Sequence, residues 1–285
     1  MKSSLPLGAH MSIAGELHLA FARGEKAGCT AMQIFTKNAN QWRGKPISAE
    51  AAEKFRKAWQ ASSIGPVAAH DTYLINLAAP EDDKWQKSIA AFCDEMERCA
   101  LLGVPHLVMH PGAHLGEGEE AGLKRVADAF RRIFAESDPG VTVLLENTAG
   151  QGTYLGGQFE HLAALMDLVP EGRFGVCFDT CHAFAAGYDL SSAEGFAEVM
   201  ERFQQIVGLE KILLFHVNDS KKGLNSHVDR HEHIGQGTIG RAGFQALMQD
   251  ERLRQVPKIL ETPKGDQDEM DEVNLNLLRE LAGEG

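Results

Sequence analysis

The chain has 285 residues, 44% hydrophobic and 24% charged, and its 28 Lys+Arg against 40 Asp+Glu leave a formal charge of −12. This composition is that of an ordinary globular protein and excludes collagen-like, disordered and disulfide-framework chains. Taken alone, the acidic balance also argues against a polyphosphate partner, which ordinarily calls for a basic surface.

No apolar run approaches the roughly 18 residues of a membrane span. The opening MKSSLPLGAHMS lacks the apolar stretch of a secretory signal, so a cytoplasmic protein without membrane contact is expected. Cys29, Cys93, Cys99, Cys177 and Cys181 are odd in number and scattered, as free thiols of a reducing compartment would be. No linker or low-complexity tract divides the chain, and residues 1–285 are expected to form a single domain.

Eight short apolar or β-branched runs halt at a polar residue. In chain order they are LPLGAH to His10, AMQIFT to Thr36, PVAAH to His70, HLVMH to His110, VTVLLE to Glu146, FGVCFD to Asp179, ILLFH to His216 and KILE to Glu261. Successive ends average about 36 residues apart, the length of a βαβ unit. Helix-patterned stretches lie between them, including AEKFRKAWQA (52–61), KSIAAFCDEMERCALLG (87–103) and GLKRVADAFRRIFAES (122–137). Ser191 with Glu194 forms a candidate capping box. Near-continuous apolar strands are buried on both faces, and eight of them predict an α/β fold, a (β/α)8 TIM barrel. A doubly wound open sheet is the alternative.

In such a barrel the strand ends share the face on which active sites are built. Runs three to eight end in His70, His110, Glu146, Asp179, His216 and Glu261, all metal-ligand types. Three carboxylates brought together raise one another's pKa unless cations sit between them. DTCH adds His182, and VDRHEH adds Asp229 and His231, which share one side of an extended loop. His233 shares that side as a ligand or as a hydrogen-bond partner to one. Mixed imidazole and carboxylate donors suit Zn²⁺ or Mn²⁺. Cys177 and Cys181 are expected to be packed thiols. GQGTIG (235–240) fits the dinucleotide pattern but does not follow directly on a strand, so no nicotinamide cofactor is expected. His10 is expected at the barrel floor or beside a ligand.

FTKN and QW (within 35–42), HDTYLINLA (70–78), HPG (110–112), LENTAGQG (145–152), FDTCHAFAAGYDL (178–190), HVNDSK (216–221), DRHEHIGQGTIG (229–240) and LET (260–262) occur in this order. In these segments the chain resembles the endonuclease IV family, trinuclear-zinc AP endonucleases of DNA base-excision repair on a xylose-isomerase-like barrel. The resemblance implies one zinc on His70, His110 and Glu146, a second on Glu146, Asp179, His216 and Glu261, and a third on His182, Asp229 and His231. Glu146 and Glu261 are the implied catalytic carboxylates. The implied reaction is hydrolysis of the phosphodiester 5′ to an abasic site by metal-bound hydroxide, leaving a 3′-hydroxyl, with removal of 3′-blocking groups as a second activity. Damaged double-stranded DNA is the implied partner of what is expected to be a monomer.

Tyr73 and Leu74 match the family's wedge, and Lys37, Asn40 and Trp42 join them as expected DNA contacts. The family's wedge arginine is replaced by Asn40, a shorter and uncharged side chain for which Trp42 or Arg43 is placed to compensate. Two other readings stand beside this one: a divalent-metal sugar isomerase or epimerase, and a DNA-lesion binder without catalysis. The charge no longer opposes DNA, because residues 1–60 hold nine Lys+Arg against four Glu, and three Zn²⁺ would bring −12 to about −6.

Overall fold

A computed structural model describes residues 5–136, 139–265 and 269–283. The expected single domain and the end of the third helical stretch extend beyond these residues, and Ser137 lies outside them. Strands β1 (Leu7–Met11), β2 (Ala31–Phe35), β3 (Val67–His70), β4 (His106–Met109), β5 (Thr142–Glu146), β6 (Phe174–Asp179) and β7 (Ile212–His216) join β10 (Lys258–Leu260) in a closed parallel barrel. This closure overturns the open-sheet alternative. The short β8 (Asp219–Ser220) and β9 (His231–Glu232) form an antiparallel pair above it.

Helices α1 (Leu19–Lys26), α2 (Ala49–Ala61), α3 (Asp82–Leu102), α4 (Glu119–Glu136), α5 (Phe159–Leu168), α6 (Thr180–Ala185), α7 (Ala193–Ile206), α8 (Gly240–Gln249) and α9 (Met270–Leu281) fill the crossovers. The predicted capping box shifts by one residue. Ser192 caps α7 by accepting from Gly195 N at 3.1 Å, while Ser191 Oγ donates to Asp189 at 2.6 Å.

The register sets the barrel's tilt. Gln33 pairs with Ala68, His70 with Val108, Glu146 with Cys177 and His216 with Ile259. Each pairing advances two residues relative to Ala31, Ala68, Leu144 and Leu214, which with Val108, Cys177 and Ile259 form one apolar cluster inside the barrel. Four such steps give the eight-residue shear of a (β/α)8 barrel. Gly8 completes this interior on β1, where a Cβ would overlap the Ala31 carbonyl.

Alternate strand residues face the same side. The next inward position after each small or apolar one is therefore His10, Gln33, His70, His110, Glu146, Asp179, His216 or Glu261. Alternation alone moves each strand from a dry interior to a polar mouth. A larger apolar cluster, including Phe55, Phe92, Phe130, Phe159 and Phe203, packs the outer strand faces against the helices.

Candidate metal centre

Glu146 ends β5 fully buried, and each of its carboxylate oxygens serves different neighbours. Oε2 lies 3.2 Å from both His70 Nε2 and His110 Nε2. Oε1 lies 3.0 Å from His216 Nδ1 and 3.2 Å from His182 Nδ1. His216 Nδ1 also approaches Glu261 Oε2 at 3.3 Å and Asp179 Oδ2 at 3.9 Å. On the other side, Asp229 places Oδ2 3.2 Å from His182 Nε2 and Oδ1 3.3 Å from His231 Nε2.

Three groups can thus each surround an ion with donor atoms within 4.8 Å of one another: His70, His110 and Glu146; Glu146, Asp179, His216 and Glu261; and His182, Asp229 and His231. Two bonds of about 2.0–2.1 Å at a tetrahedral angle put zinc ligands roughly 3.3 Å apart. Most of the N···O contacts above lie close to this spacing.

Four of these imidazoles also have a nitrogen held by a neighbouring oxygen, which sets the nitrogen each would present to a metal. His70 Nδ1 donates to Asp71 O at 2.9 Å, His182 Nδ1 to Asn147 O at 3.0 Å and His231 Nδ1 to Glu261 O at 3.2 Å. Gln33 Nε2 donates to Glu261 Oε1 at 2.8 Å, so its carbonyl faces His216 and accepts from Nε2 at 2.8 Å. His216 is thereby left with Nδ1 toward the carboxylates. Asn218 donates to Asp179 Oδ2 at 2.8 Å and accepts from Glu261 N at 2.8 Å. His231 Nε2 is buried without a hydrogen-bond partner, as an atom reserved for a metal would be.

Charge follows this geometry. Burial would raise Glu146, but the charges of His216 and His110 and hydrogen bonds from His110 and His182 hold it well below the usual carboxylate range. Burial likewise opposes ionisation of Glu261, and His216 and His10 outweigh it. For Asp229, hydrogen bonding and charge from His182 and charge from His231 overcome burial and bring the pKa to about 2. Burial lowers His70, His182 and His216, yet facing carboxylates lift all three above the ordinary imidazole value. The elevation expected of clustered carboxylates is present, since Glu146 pushes Glu261 up, but at Glu146, Glu261 and Asp229 the facing imidazoles outweigh what opposes ionisation.

Of the other residues singled out in the sequence, some keep their expected place and some do not. His10 takes the second of its two expected places, beside a ligand at the mouth and not at the floor, 3.2 Å from Glu261 Oε1 and 3.0 Å from Gln33 Nε2. His233 turns to α9, with Nδ1 3.2 Å from Asn274 Nδ2. Cys177 belongs to the dry interior cluster, though its sulfur is within reach of Glu146 and His216. Cys181 is buried, its Sγ 3.6 Å from Arg230 O. Gln33, Asn147 and Asn218 were missed, and counting inward positions along AMQIFT would have found Gln33.

A cavity of about 360 Å³ opens beside His70, His110, His182 and Asp229, walled by Ile75, Ala113 and Ala149. Tyr73, 63% exposed, stands at its lip with its ring edge-on to Phe35 at 5.6 Å. Leu74 follows half-buried, its N–H toward Thr72 Oγ1. Leu115 and Tyr154, also exposed, line the same cavity and were not anticipated. Asn40 is exposed in a turn where its N–H donates to Asn38 Oδ1 at 2.9 Å. Trp42 is partly buried with Lys87 Nζ 4.1 Å from its ring centroid.

Lys37 departs from the expected DNA-facing set. Its side chain is 2% exposed and pairs with Asp94 at 2.8 Å and Glu95 at 2.9 Å. Thr36 donates to Glu95 Oε2 at 2.5 Å, and Arg98 bonds Thr36 and Lys45 O. Lys37 thus anchors the β2–α2 loop from beneath, out of reach of a phosphate.

Among the described residues, no helix is long and apolar enough to cross a membrane. Residues 21–281 match the xylose isomerase-like TIM barrel family model. A protein described as probable endonuclease 4 from Geobacter sulfurreducens is 57% identical over 279 residues, covering 96% of this chain and 94% of that protein. Another from Chloroflexus aurantiacus is 56% identical over 276 residues, covering 96% and 97%. The crystal structure of endonuclease IV from Thermus thermophilus superposes with a TM-score of 0.86 at 38% identity, covering 98% of this chain and all of that one.

Proposed function

The chain belongs to the endonuclease IV family of xylose isomerase-like TIM barrels, and on that premise we propose that it is a zinc-dependent AP endonuclease of base-excision repair. It would cut the phosphodiester 5′ to an abasic site, leave a 3′-hydroxyl, and also clear blocked 3′ ends. The observation that carries this reading is Glu146, whose two oxygens are divided between the His70–His110 pair and the His216–His182 pair.

His70, His110 and Glu146 would hold one zinc; Glu146, Asp179, His216 and Glu261 a second; His182, Asp229 and His231 a third. Bound there, zinc supplies a water of lowered pKa and positive charge beside the leaving 3′ oxygen. Glu146 and Glu261 are the carboxylates closest to that chemistry, and Gln33 and His10 fix the orientation of Glu261.

An abasic nucleotide has no base to unstack, so extruding it costs less than extruding a normal one. The cavity beside His70 and His110 receives the extruded sugar phosphate, while Tyr73 and Leu74 fill the gap left in the duplex. Outside the wedge, Arg43, Lys45 and Lys87 are exposed cations with no ion-pair partner among the described residues, suited to flanking phosphates.

The test is a duplex carrying one abasic site. Incision should yield a 3′ end that a polymerase extends, stop on chelation and return with zinc. Binding without incision, or epimerisation of a ketose in place of incision, would overturn the proposal.

A further inference from the structure

We propose that Asp219 is a positioning residue for the third zinc site, holding the loop that presents Asp229 and His231; this rests on the three-zinc reading above. Asp219 is completely buried and faces no cationic side chain among the described residues. Its carboxylate instead accepts four backbone N–H groups. Oδ1 takes Ser220 N at 2.8 Å and Ile239 N at 2.9 Å, and Oδ2 takes Gly237 N at 3.0 Å and Gly240 N at 3.2 Å. The glycine-rich GQGTIG segment therefore turns three of its amides onto an internal carboxylate.

The consequence reaches the candidate ligands through the chain. Asp219 and Ser220 form β8, and Ser220 pairs with His231 in β9. Lys221 N donates to Arg230 O at 2.9 Å, one residue from Asp229. On the other flank, Thr238 N donates to Ser220 O at 2.8 Å, and Thr238 Oγ1 to Lys222 O at 2.5 Å. Residues 219–221 are thus the spine around which the loop folds, with the ligand-bearing segment on one side and GQGTIG on the other. Gly237 must be glycine for this closure, since a Cβ would overlap Ser220 O and Asp219 Oδ1.

An amide cannot replace this carboxylate. Each oxygen accepts two N–H groups, so whichever way Asn turns, its NH₂ opposes two donors. An unsatisfied buried donor is costly enough to displace the segment. The ligands of the other two ions, His70, His110, Glu146, Asp179, His216 and Glu261, lie on or just beyond barrel strands, outside the loop that this spine closes.

The experiment is zinc titration of the full-length protein against a competing chelator. Wild type should hold three ions. Asp219→Asn should retain two and bind the third at least about tenfold more weakly, the scale of losses on removing a ligand's support, with its circular dichroism unchanged. Gly237→Ala, which pushes the same segment off the same carboxylate, should reproduce this and guards against failure of the first variant to fold. Three ions at unchanged affinity in both variants, or equal weakening of all three ions, would overturn the role of Asp219. Fewer than three ions in wild type would instead overturn the three-zinc reading itself.

Discussion

The candidate metal centre, at the inner end of the site, and the exposed lip of the cavity that opens beside it, at the outer end, are built on opposite principles. At the inner end, Glu146, Asp179 and His216 are fully buried, and nearly every donor atom is held by a partner with a fixed role. At the outer end, Tyr73, Leu115 and Tyr154 are at least half exposed, and Asn40 is turned into solvent. Preorganisation suits a site that must hold closely spaced charges. An exposed aromatic lip suits a surface whose partner supplies the missing contacts. Changes at the inner end should therefore abolish chemistry and metal binding together, whereas changes at the lip should alter DNA affinity and leave the metal in place.

Glu146→Gln should break the inner end most severely. It removes the charge shared by two proposed ions, and kcat/KM on abasic duplex should fall by more than about 10³, roughly 4 kcal/mol. Zinc analysis should show a parallel loss of ions. Gln33→Met should have a smaller effect at the same end: it frees His216 and Glu261 to reorient, and zinc affinity should fall about 10–100-fold.

Protons should compete with metal at this end. His70, His182 and His216 hold protons above the ordinary imidazole value, so zinc uptake must displace them and should weaken as pH falls through those raised values. Calorimetry in buffers of different ionisation enthalpy would reveal the released protons, and a heat independent of buffer would contradict the charge assignment. In metal-free protein the sign is set separately for each class of group. The stability contributed by these imidazoles is complete below their ordinary value and lost as pH rises through the raised one. That of Asp229 is present above its unfolded value near 3.8 and lost as pH falls toward about 2.

At the lip, Tyr73→Ala should weaken binding to abasic duplex about 5–100-fold, the scale of one lost stacking contact, with zinc content unchanged. The smallest effects belong to the rim. Asn40→Arg should tighten binding at fixed salt, and Lys87→Ala should reduce the salt dependence by about one phosphate contact. An unchanged dissociation constant for Asn40→Arg would show that the loop does not enter the duplex.

The same division explains what the sequence disclosed. The inner end follows from strand periodicity, so His70, Glu146, Asp179 and His216 stand out as polar residues closing apolar runs. Gln33 escaped because AMQIFT continues for two strand residues beyond it, and only the inward alternation of β2 reveals its place. Lys37 could not be placed from its neighbours in sequence. The carboxylates that bury it come from α3, nearly sixty residues away, and a basic residue in a loop at the barrel mouth looks the same in sequence whether it points out or down. The Asp219 spine was hidden for the related reason that GQGTIG carries a phosphate-binding pattern whose amides are consumed internally.

The most direct measurement is anomalous diffraction at the zinc edge from crystals grown with zinc. Three peaks are predicted: one among His70, His110 and Glu146, one among Glu146, Asp179, His216 and Glu261, and one among His182, Asp229 and His231. The first two should both contact Glu146. A single peak, or peaks that do not share Glu146, would contradict the account.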